Sequence, residues 1–332
     1  MAATNSHMYP GNSPVPVVLL GGSGFVGTRL GALLEQNKIP FLIGDLKLSP
    51  QFPERFRHCD VRDLEAVRDL VRGTSVIVNL AAEHRDDVRP RSLYNQVNVE
   101  GARLVCEAAR LTGVKRIVFT SSVAVYGFQP RPVDEDGPYQ PFNDYGRTKL
   151  EAEEAYKAWA SEDPERVLVV VRPTVIFGEG NRGNVYNLVR QVASKKFFMI
   201  GKGDNVKSIA YVGNVSAFLL SLFDRGPGLH VYNYVDLPDL NTRELLAWIQ
   251  HCLGRDGRLP NLPRSIAMCV GYLFDLAARV TGRKFPVSSV RVRKFCESTQ
   301  FRADRVAETG FQPPYPLKEA LERTIRFEFP VK

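Results

Sequence analysis

Val15 to Leu20 is an unbroken apolar run that leads into Gly21-Gly22-Ser23-Gly24-Phe25-Val26-Gly27 and then into an amphipathic stretch carrying Leu30, Leu33 and Leu34. An apolar run of this length, closed by glycine, reads as a strand buried on both faces, and such strands belong to parallel sheets covered by helices. The glycines at 21, 24 and 27 have separate uses. The first admits a tight turn, the second lets a pyrophosphate approach the backbone at a helix N-terminus, and the third allows close helix packing. A glycine triplet alone is weak evidence, because loops collect glycine for turn geometry. Strand, glycine turn and helix in succession constrain the chain far more.

A second short run, Phe41 to Gly44, ends at Asp45, 18 residues after Gly27. A carboxylate there accepts both adenosine ribose hydroxyls and repels a 2′-phosphate, so NAD is expected rather than NADP. Lys47 bears on that choice, and also reads as a solvated loop lysine. Further strand ends are expected at His58-Cys59-Asp60-Val61 and over Val76 to Ala82, alternating with helical stretches at Arg62–Arg72 and Leu93–Leu111. The alternation predicts an α/β chain with a Rossmann-type, right-handed doubly wound parallel sheet. Residues 14–176 form its NAD-binding part. After the strand Val167–Arg172, Pro173 and a loop with Gly178, Gly180 and Gly183 leave that sheet. Residues 177–332 are expected to be mainly a smaller, mixed α/β substrate-binding lobe. Segments near 209–240 return to the first part: a strand-like run Ile209–Val212, a helix Val215–Phe223, and Val231–Val235 rejoining the main sheet.

The 332 residues, 44% of them apolar, suffice for one large or two closely joined domains with a sizeable core. Five cysteines, Cys59, Cys106, Cys252, Cys269 and Cys296, are irregularly spaced, so neither disulfides nor a zinc site is expected, and they read as core thiols in a reducing compartment. The formal charge of +8 suits an anionic partner, but no nucleic-acid-binding motif accompanies it and nucleic acid is discounted. Met1–Ser13 is polar, lacks the apolar segment of a signal peptide, and is expected to be a disordered tail or tag remnant, Ser6-His7-Met8 resembling a cloning scar and Met8 a natural start.

Chemistry enters with Tyr145-Gly146-Arg147-Thr148-Lys149, a short way after Thr120-Ser121-Ser122. A tyrosine with a pKa near ~10 is a poor base at neutral pH, but a lysine ammonium one helical turn away stabilises the phenolate. Tyr145 is then able to take an alcohol proton, while Ser122, at the end of an apolar strand, hydrogen-bonds the same oxygen as charge develops on it. The loop beyond Ser122, Val123-Ala124-Val125-Tyr126-Gly127, lacks the carboxylate pair a sugar dehydratase needs, and no cysteine stands near it for epimerisation by proton transfer. Hydride transfer remains, as net oxidation or reduction or as a redox-neutral inversion. Glu83, His84 and Arg85, at the exit of the fourth strand, are candidates to read sugar hydroxyls or an N-acetyl group, and read equally as solvated loop residues. Asn98 is expected to tie the strand loops together.

Over Ser265–Thr281, Ile266, Val270, Leu273, Phe274, Ala277 and Val280 form a helical stripe, with Asp275 and Arg279 as an acid-first pair elsewhere. The stretch is too short and too charged to span a bilayer. Flanked by Arg258, Arg264, Arg283 and Lys284, it fits either an interfacial helix on anionic lipid or an ordinary core-facing helix.

GGSGFVG, Asp45, NLAA, TSSVAVYG, YGRTK and RPTVIFG together resemble the extended short-chain dehydrogenase/reductase family over residues 14–330. Within it, residues 82–88, 172–188, 207–214, 231–240 and 288–301 resemble bacterial 4-epimerases of N-acetylglucosamine diphosphate linked to undecaprenol. The resemblance implies a lipid-linked sugar diphosphate substrate, its GlcNAc and GalNAc forms interconverted for O-antigen or related glycan synthesis at the cytoplasmic face of the inner membrane, and membrane contact through helix 265–281. It implies Tyr145 as proton acceptor, Lys149 as its electrostatic partner and ribose anchor, and Ser122 at the sugar 4-oxygen. Gly21, Gly24, Phe25, Val26, Gly27 and Asp45 would hold pyrophosphate and ribose, Asp60 and Val61 the adenine edge, and Ala81 the backbone beside the cofactor. Asn184 and Lys207 match sugar and diphosphate contacts, Lys207 where many nucleotide-sugar epimerases have arginine, and Val175 stands where asparagine is common. The helices at Leu93–Leu111 and Tyr145–Ala160 match those relatives use in a homodimer. A nucleotide-sugar 4-epimerase or 4-keto-sugar reductase is the alternative; a non-catalytic member of the fold would not need the Ser122, Tyr145 and Lys149 set.

Overall fold

β1 (Val17–Leu20) is fully buried and lies inside a seven-stranded, wholly parallel sheet, because no position along it presents a polar side chain to water. The computed structural model describes residues 17–330 apart from 86, 130, 196, 256–258 and 283–287. The expected tail Met1–Ser13 and the flanking Arg258, Arg283 and Lys284 therefore lie outside the described residues.

From β1 the chain runs through α1 (Phe25–Gln36), β2 (Phe41–Asp45), β3 (Phe56–His58), α2 (Leu64–Val71) and β4 (Val76–Asn79). A helical stretch follows as α3 (Ser92–Tyr94), a π-helical segment at Asn95–Glu100, and α4 (Gly101–Thr112). Then come β5 (Arg116–Thr120), α5 (Asp144–Ser161) and β6 (Val167–Pro173). The remaining elements are β7 (Val175–Phe177), α6 (Asn184–Ala193), β8 (Met199–Ile200), β9 (Val206–Lys207), β10 (Ile209–Tyr211), α7 (Val212–Ser221) and β11 (Gly228–Tyr234). They continue as β12 (Leu240–Asn241), α8 (Thr242–Cys252), β13 (Asn261–Leu262), α9 (Arg264–Thr281), α10 (Ser289–Cys296), α11 (Asp304–Glu308) and α12 (Leu317–Glu328).

The sheet order is β3-β2-β1-β4-β5-β6-β11, so the winding reverses between β1 and β4. In open sheets of this kind ligands sit in the crevice outside the carboxyl ends of the strands at that reversal. β11 pairs with β6 in parallel over its whole length, as the expected return of 231–235 requires. Helices cover both faces. Leu30 and Leu34 of α1 pack with Val215, Phe218 and Leu219 of α7 on one side, and Val67 of α2, Val105 of α4 and Tyr156 and Trp159 of α5 on the other. A third cluster joins α6, α8 and α12 beyond the sheet. Buried Asp236 fastens this part to the sheet, accepting from Tyr211 N–H at 2.6 Å, Asn214 Nδ2 at 3.0 Å and the Tyr234 hydroxyl at 3.1 Å.

Two expectations need correction. Cys59, Cys106 and Cys252 are buried, but Cys269 is exposed and Cys296 only partly covered, so the thiols are not all core residues. Asp275 is turned toward α10 to accept from Ser289 N–H at 3.1 Å and Ser289 Oγ at 2.5 Å, where an acid-first pair with Arg279 was expected. The cause is the crossing of α9 with α10: an added Cβ at Gly271 would lie 2.8 Å from the Ser289 Cα. With its small side (Ala267, Gly271) against α10, α9 leaves apolar residues outside. Leu273 is 67% and Val280 78% exposed, with Ile266, Tyr272 and Leu276 also open to solvent, while Val270, Phe274 and Ala277 are half-buried.

Candidate active site

The side chains expected to carry chemistry arrive on β5 and α5. Ser122 follows β5 and caps a short 3-10 turn, Val123–Tyr126, its Oγ accepting the Ala124 N–H at 3.1 Å. Asn143 caps α5 by accepting the Gly146 N–H at 2.9 Å, which fixes where the helix starts and so where Tyr145 stands. A Cβ on Gly146 would lie 2.4 Å from the Ala124 carbonyl oxygen, so glycine is what lets the first turn of α5 close on the Ser122 turn. The approach brings the Tyr145 side chain beside Ser122, and both line one cavity.

Burial raises the Tyr145 phenol above its ordinary range, and the nearby Ser122 hydroxyl draws it back. Lys149, one turn along, is buried with Nζ 4.2 Å from the centroid of the Phe119 ring. Burial pushes its ammonium down to about 7, against the attraction of Glu153. Lys149 therefore answers first to Glu153 and the Phe119 ring, while the resolved influences on the phenol are burial and Ser122.

A cavity of about 840 Å³ joins this triad to the glycine turn. Its walls include Gly21, Gly24, Phe25, Val26, Gly27, Asp45, Asp60, Val61 and Ala81 with Ser122, Tyr145 and Lys149, and also Glu83, His84, Arg85 and Asn184. Lys207 is the exception: its ammonium donates to the Glu297 carbonyl, and its neighbour Ser208 lines the cavity. Val175 lines it too.

The turn fits a dinucleotide. Gly21 has a φ of +74° and a Cβ there would lie 2.6 Å from the Ala81 nitrogen, while one on Gly27 would lie 2.5 Å from the Gly22 Cα. Asp45 accepts from Ser23 N–H and Lys47 N–H, both at 3.1 Å, which holds its carboxylate beside the turn as a ribose ligand needs. Asp60 is paired with Arg62 at 2.5 Å. The buried hydroxyls of Ser23, Thr120 and Thr174 have no partner among the described residues, and Thr120 and Thr174 line the cavity, where a polar ligand would satisfy them.

Several supporting residues carry only faint sequence signals. Asn98, in the π-helical segment, accepts the Glu83 N–H at 2.8 Å and donates to the Glu83 carbonyl at 3.0 Å and Thr148 Oγ1 at 2.9 Å, the tie expected of it. Asn79 accepts the Ala81 N–H at 3.0 Å and donates to the Tyr156 hydroxyl at 2.6 Å. Phe128 and Phe142, both exposed, stack at 4.5 Å on the cavity rim. Asn143 was findable, as an asparagine at a helix start; the aromatic pair was not, because its members meet only in the fold.

Comparison with known proteins gives a consistent picture. The model of the NAD dependent epimerase/dehydratase family matches residues 17–234. The N-acetyl-alpha-D-glucosaminyl-diphospho-ditrans,octacis-undecaprenol 4-epimerase of Escherichia coli O157:H7 is 50% identical over 94% of this chain and 95% of its own. The UDP-glucose 4-epimerase of Vibrio cholerae is 27% identical over 94% and 95%. The crystal structure of a Thermus thermophilus UDP-glucose 4-epimerase in complex with NAD has a TM-score of 0.72, 19% identity, and coverage of 96% and 100%, a likeness of fold.

Two outcomes are expected. Gly146→Ala drives a methyl into the Ala124 carbonyl, so stability falls by roughly 1–3 kcal/mol and turnover falls further as Tyr145 and Ser122 separate, measured by urea unfolding and steady-state kinetics. In cofactor-free protein Lys149 is largely unprotonated above about pH 7 when folded but protonated to about pH 10 when unfolded, so the unfolded state binds the extra proton and stability rises with pH across that window. From pH ~7 to ~9 wild type should gain roughly 2–3 kcal/mol relative to Lys149→Met in urea unfolding; parallel curves would contradict it.

Proposed function

The chain belongs to the NAD dependent epimerase/dehydratase family, and from that premise we propose that it is an NAD-dependent 4-epimerase interconverting GlcNAc and GalNAc on undecaprenyl diphosphate. The observation that carries the chemistry is that Ser122, Tyr145 and buried Lys149 line one cavity with a dinucleotide-fitting turn. The substrate reading is supported by 50% identity to a lipid-linked sugar 4-epimerase over almost the whole of both chains.

NAD, when bound, supplies the reversible hydride acceptance that inversion at carbon 4 requires. Gly21 and Gly24 to Gly27 would hold its pyrophosphate at the α1 N-terminus, Asp45 its adenosine ribose, Asp60 and Val61 its adenine edge, Ala81 would lie beside it through the backbone, and Lys149 would anchor a ribose. Tyr145 takes the proton of the 4-hydroxyl and later returns it, and Ser122 donates to that oxygen as charge grows. Neither a carboxylate pair nor a cysteine is needed, since a single proton-transferring phenol serves both directions. Glu83, His84 and Asn184 bound the space in which the sugar turns, with Lys207 behind Ser208.

The substrate would be met at the cytoplasmic face of the bacterial inner membrane, in the service of O-antigen or related glycan assembly. No helix among the described residues is long and apolar enough to cross a membrane. The outer side of α9 instead supports peripheral contact: Ile266, Leu273, Leu276 and Val280 are exposed along it, with exposed Arg264 and Arg279 near its ends and exposed Arg293 on α10. That pairing of apolar and cationic groups suits an anionic headgroup layer. α4 and α5 pack side by side and offer the two-helix half of a homodimeric bundle.

Purified protein should epimerise GlcNAc-diphospho-undecaprenol and leave UDP-GlcNAc nearly unchanged, by product analysis of each; the reverse preference would favour a nucleotide-sugar epimerase. Tyr145→Phe should retain NAD and lose about 10²–10⁴-fold in turnover. Leu273→Glu/Leu276→Glu should stop flotation with anionic vesicles at unchanged melting temperature, and undiminished flotation would remove α9 from the membrane contact.

A further inference from the structure

Glu153 lies one helical turn beyond Lys149 and is fully buried in an ion pair with Arg172 of β6, at 2.5 Å. The proposed reaction uses neither residue. Burying two ions is costly because both lose their water, and apolar replacements of such a pair often leave a protein as stable or more so. Stability is therefore a poor account of the pair, and its remaining contacts point elsewhere.

Glu153 Oε1 accepts from Ser121 Oγ at 2.5 Å and from Arg172 Nε at 2.9 Å. Ser121 is also held through its N–H to the Val171 carbonyl at 2.7 Å, and the next residue is Ser122. Arg172 donates to the Tyr126 hydroxyl at 2.5 Å, to the Glu135 carbonyl at 3.2 Å and to the Tyr139 hydroxyl at 2.8 Å. Tyr126 is the last residue of the turn that Ser122 caps, so both ends of that turn are tied to one ion pair. The same carboxylate acts on Lys149, whose Nζ lies over the Phe119 ring of β5; Arg172, bonded to Glu153, is a further charge in this layer.

We infer that Glu153 is a positioning residue of the active site, holding the Ser121–Ser122 turn in place for Tyr145 and setting a carboxylate one helical turn from Lys149. The first half is geometric: removing the Ser121 bond frees the strand end that carries Ser122. The second is electrostatic and reaches the phenol only through Lys149. Its kinetic consequence rests on the proposed epimerisation, but the state of Lys149 does not.

The deciding variant is Glu153→Gln/Arg172→Met, which removes both charges at nearly constant volume and leaves no ion buried alone. It should melt within about 5 °C of wild type, while the Lys149 titration, followed by NMR in lysine-labelled cofactor-free protein, moves down by about one pH unit. Turnover near pH ~7.5 should drop about tenfold, KM should change little, and the basic limb of the pH profile should move to lower pH, since one pH unit is a factor of ten. Ser121→Ala keeps every charge, so it should lower turnover and leave the titration where it was. A folded double variant with Lys149 titrating as in wild type would overturn the inference. Should it not fold, the titration is compared between Glu153→Gln and the charge-preserving Glu153→Asp, and identical values would overturn it equally. A shifted titration with wild type inactive on the lipid-linked sugar would count against the proposed substrate and leave Glu153 in its role.

Discussion

One solvent-free ion pair, Glu153 with Arg172, joins the elements on which the site is built. α5 carries Tyr145 and Lys149, the end of β5 carries Ser122, and β6 runs on into Thr174 and Val175 of the cavity wall. A hydrophobic interface would hold α5 on the sheet but would let it slide, because apolar contact is non-directional. Five donated hydrogen bonds from Arg172, shared among Glu153, Tyr126, Glu135 and Tyr139, fix the register instead. Losing one partner of such a pair costs about 3–5 kcal/mol, because a charge is left unpaired in a dry interior.

The fold was legible because its signals are local and redundant. β1, the glycine turn and α1 are consecutive in the chain, and Asp45 follows at the end of the next strand, so periodicity and spacing were enough to locate the dinucleotide turn. The reversal of winding beside β1 and the return of β11 to the sheet edge follow from the same alternation of strand and helix. What local pattern does not carry is a contact between distant segments. Gly146 needs its lack of a side chain because of Ala124, and Gly271 because of Ser289. Each reads in the sequence as an ordinary glycine inside a helix.

The site was legible in its residue types and less so in its electrostatics. Ser122, Tyr145 and Lys149 do line one cavity, yet the charge that acts on the lysine is that of Glu153, a residue whose burial no hydropathy pattern announces. Lys207 stays off the cavity wall because its ammonium is engaged by the Glu297 backbone, a contact across 90 residues. The stripe on α9 was correctly apolar but only half of it faces outward, since Gly271 and Asp275 decide which side meets α10. In each case the pattern gave the composition of a face and tertiary packing chose its direction.

Inversion at one carbon asks for opposite qualities at the two sides of a cleft. In the proposed reaction one phenol serves both half-reactions and would have to be rigid, and here a capped helix start and a glycine contact restrain the turn that carries Tyr145. The sugar must present first one face and then the other, so the wall opposite cannot grip every hydroxyl. A cavity of about 840 Å³ offers room, with Val175 and the Phe128–Phe142 pair as apolar stretches of a wall that also carries Glu83, His84, Arg85 and Asn184. A sugar held loosely would escape unless the rest of its molecule were held elsewhere, which the diphosphate and apolar chain of the proposed substrate would allow. In the proposed reaction such an anchor outside the cleft would let the reacting ring turn without leaving.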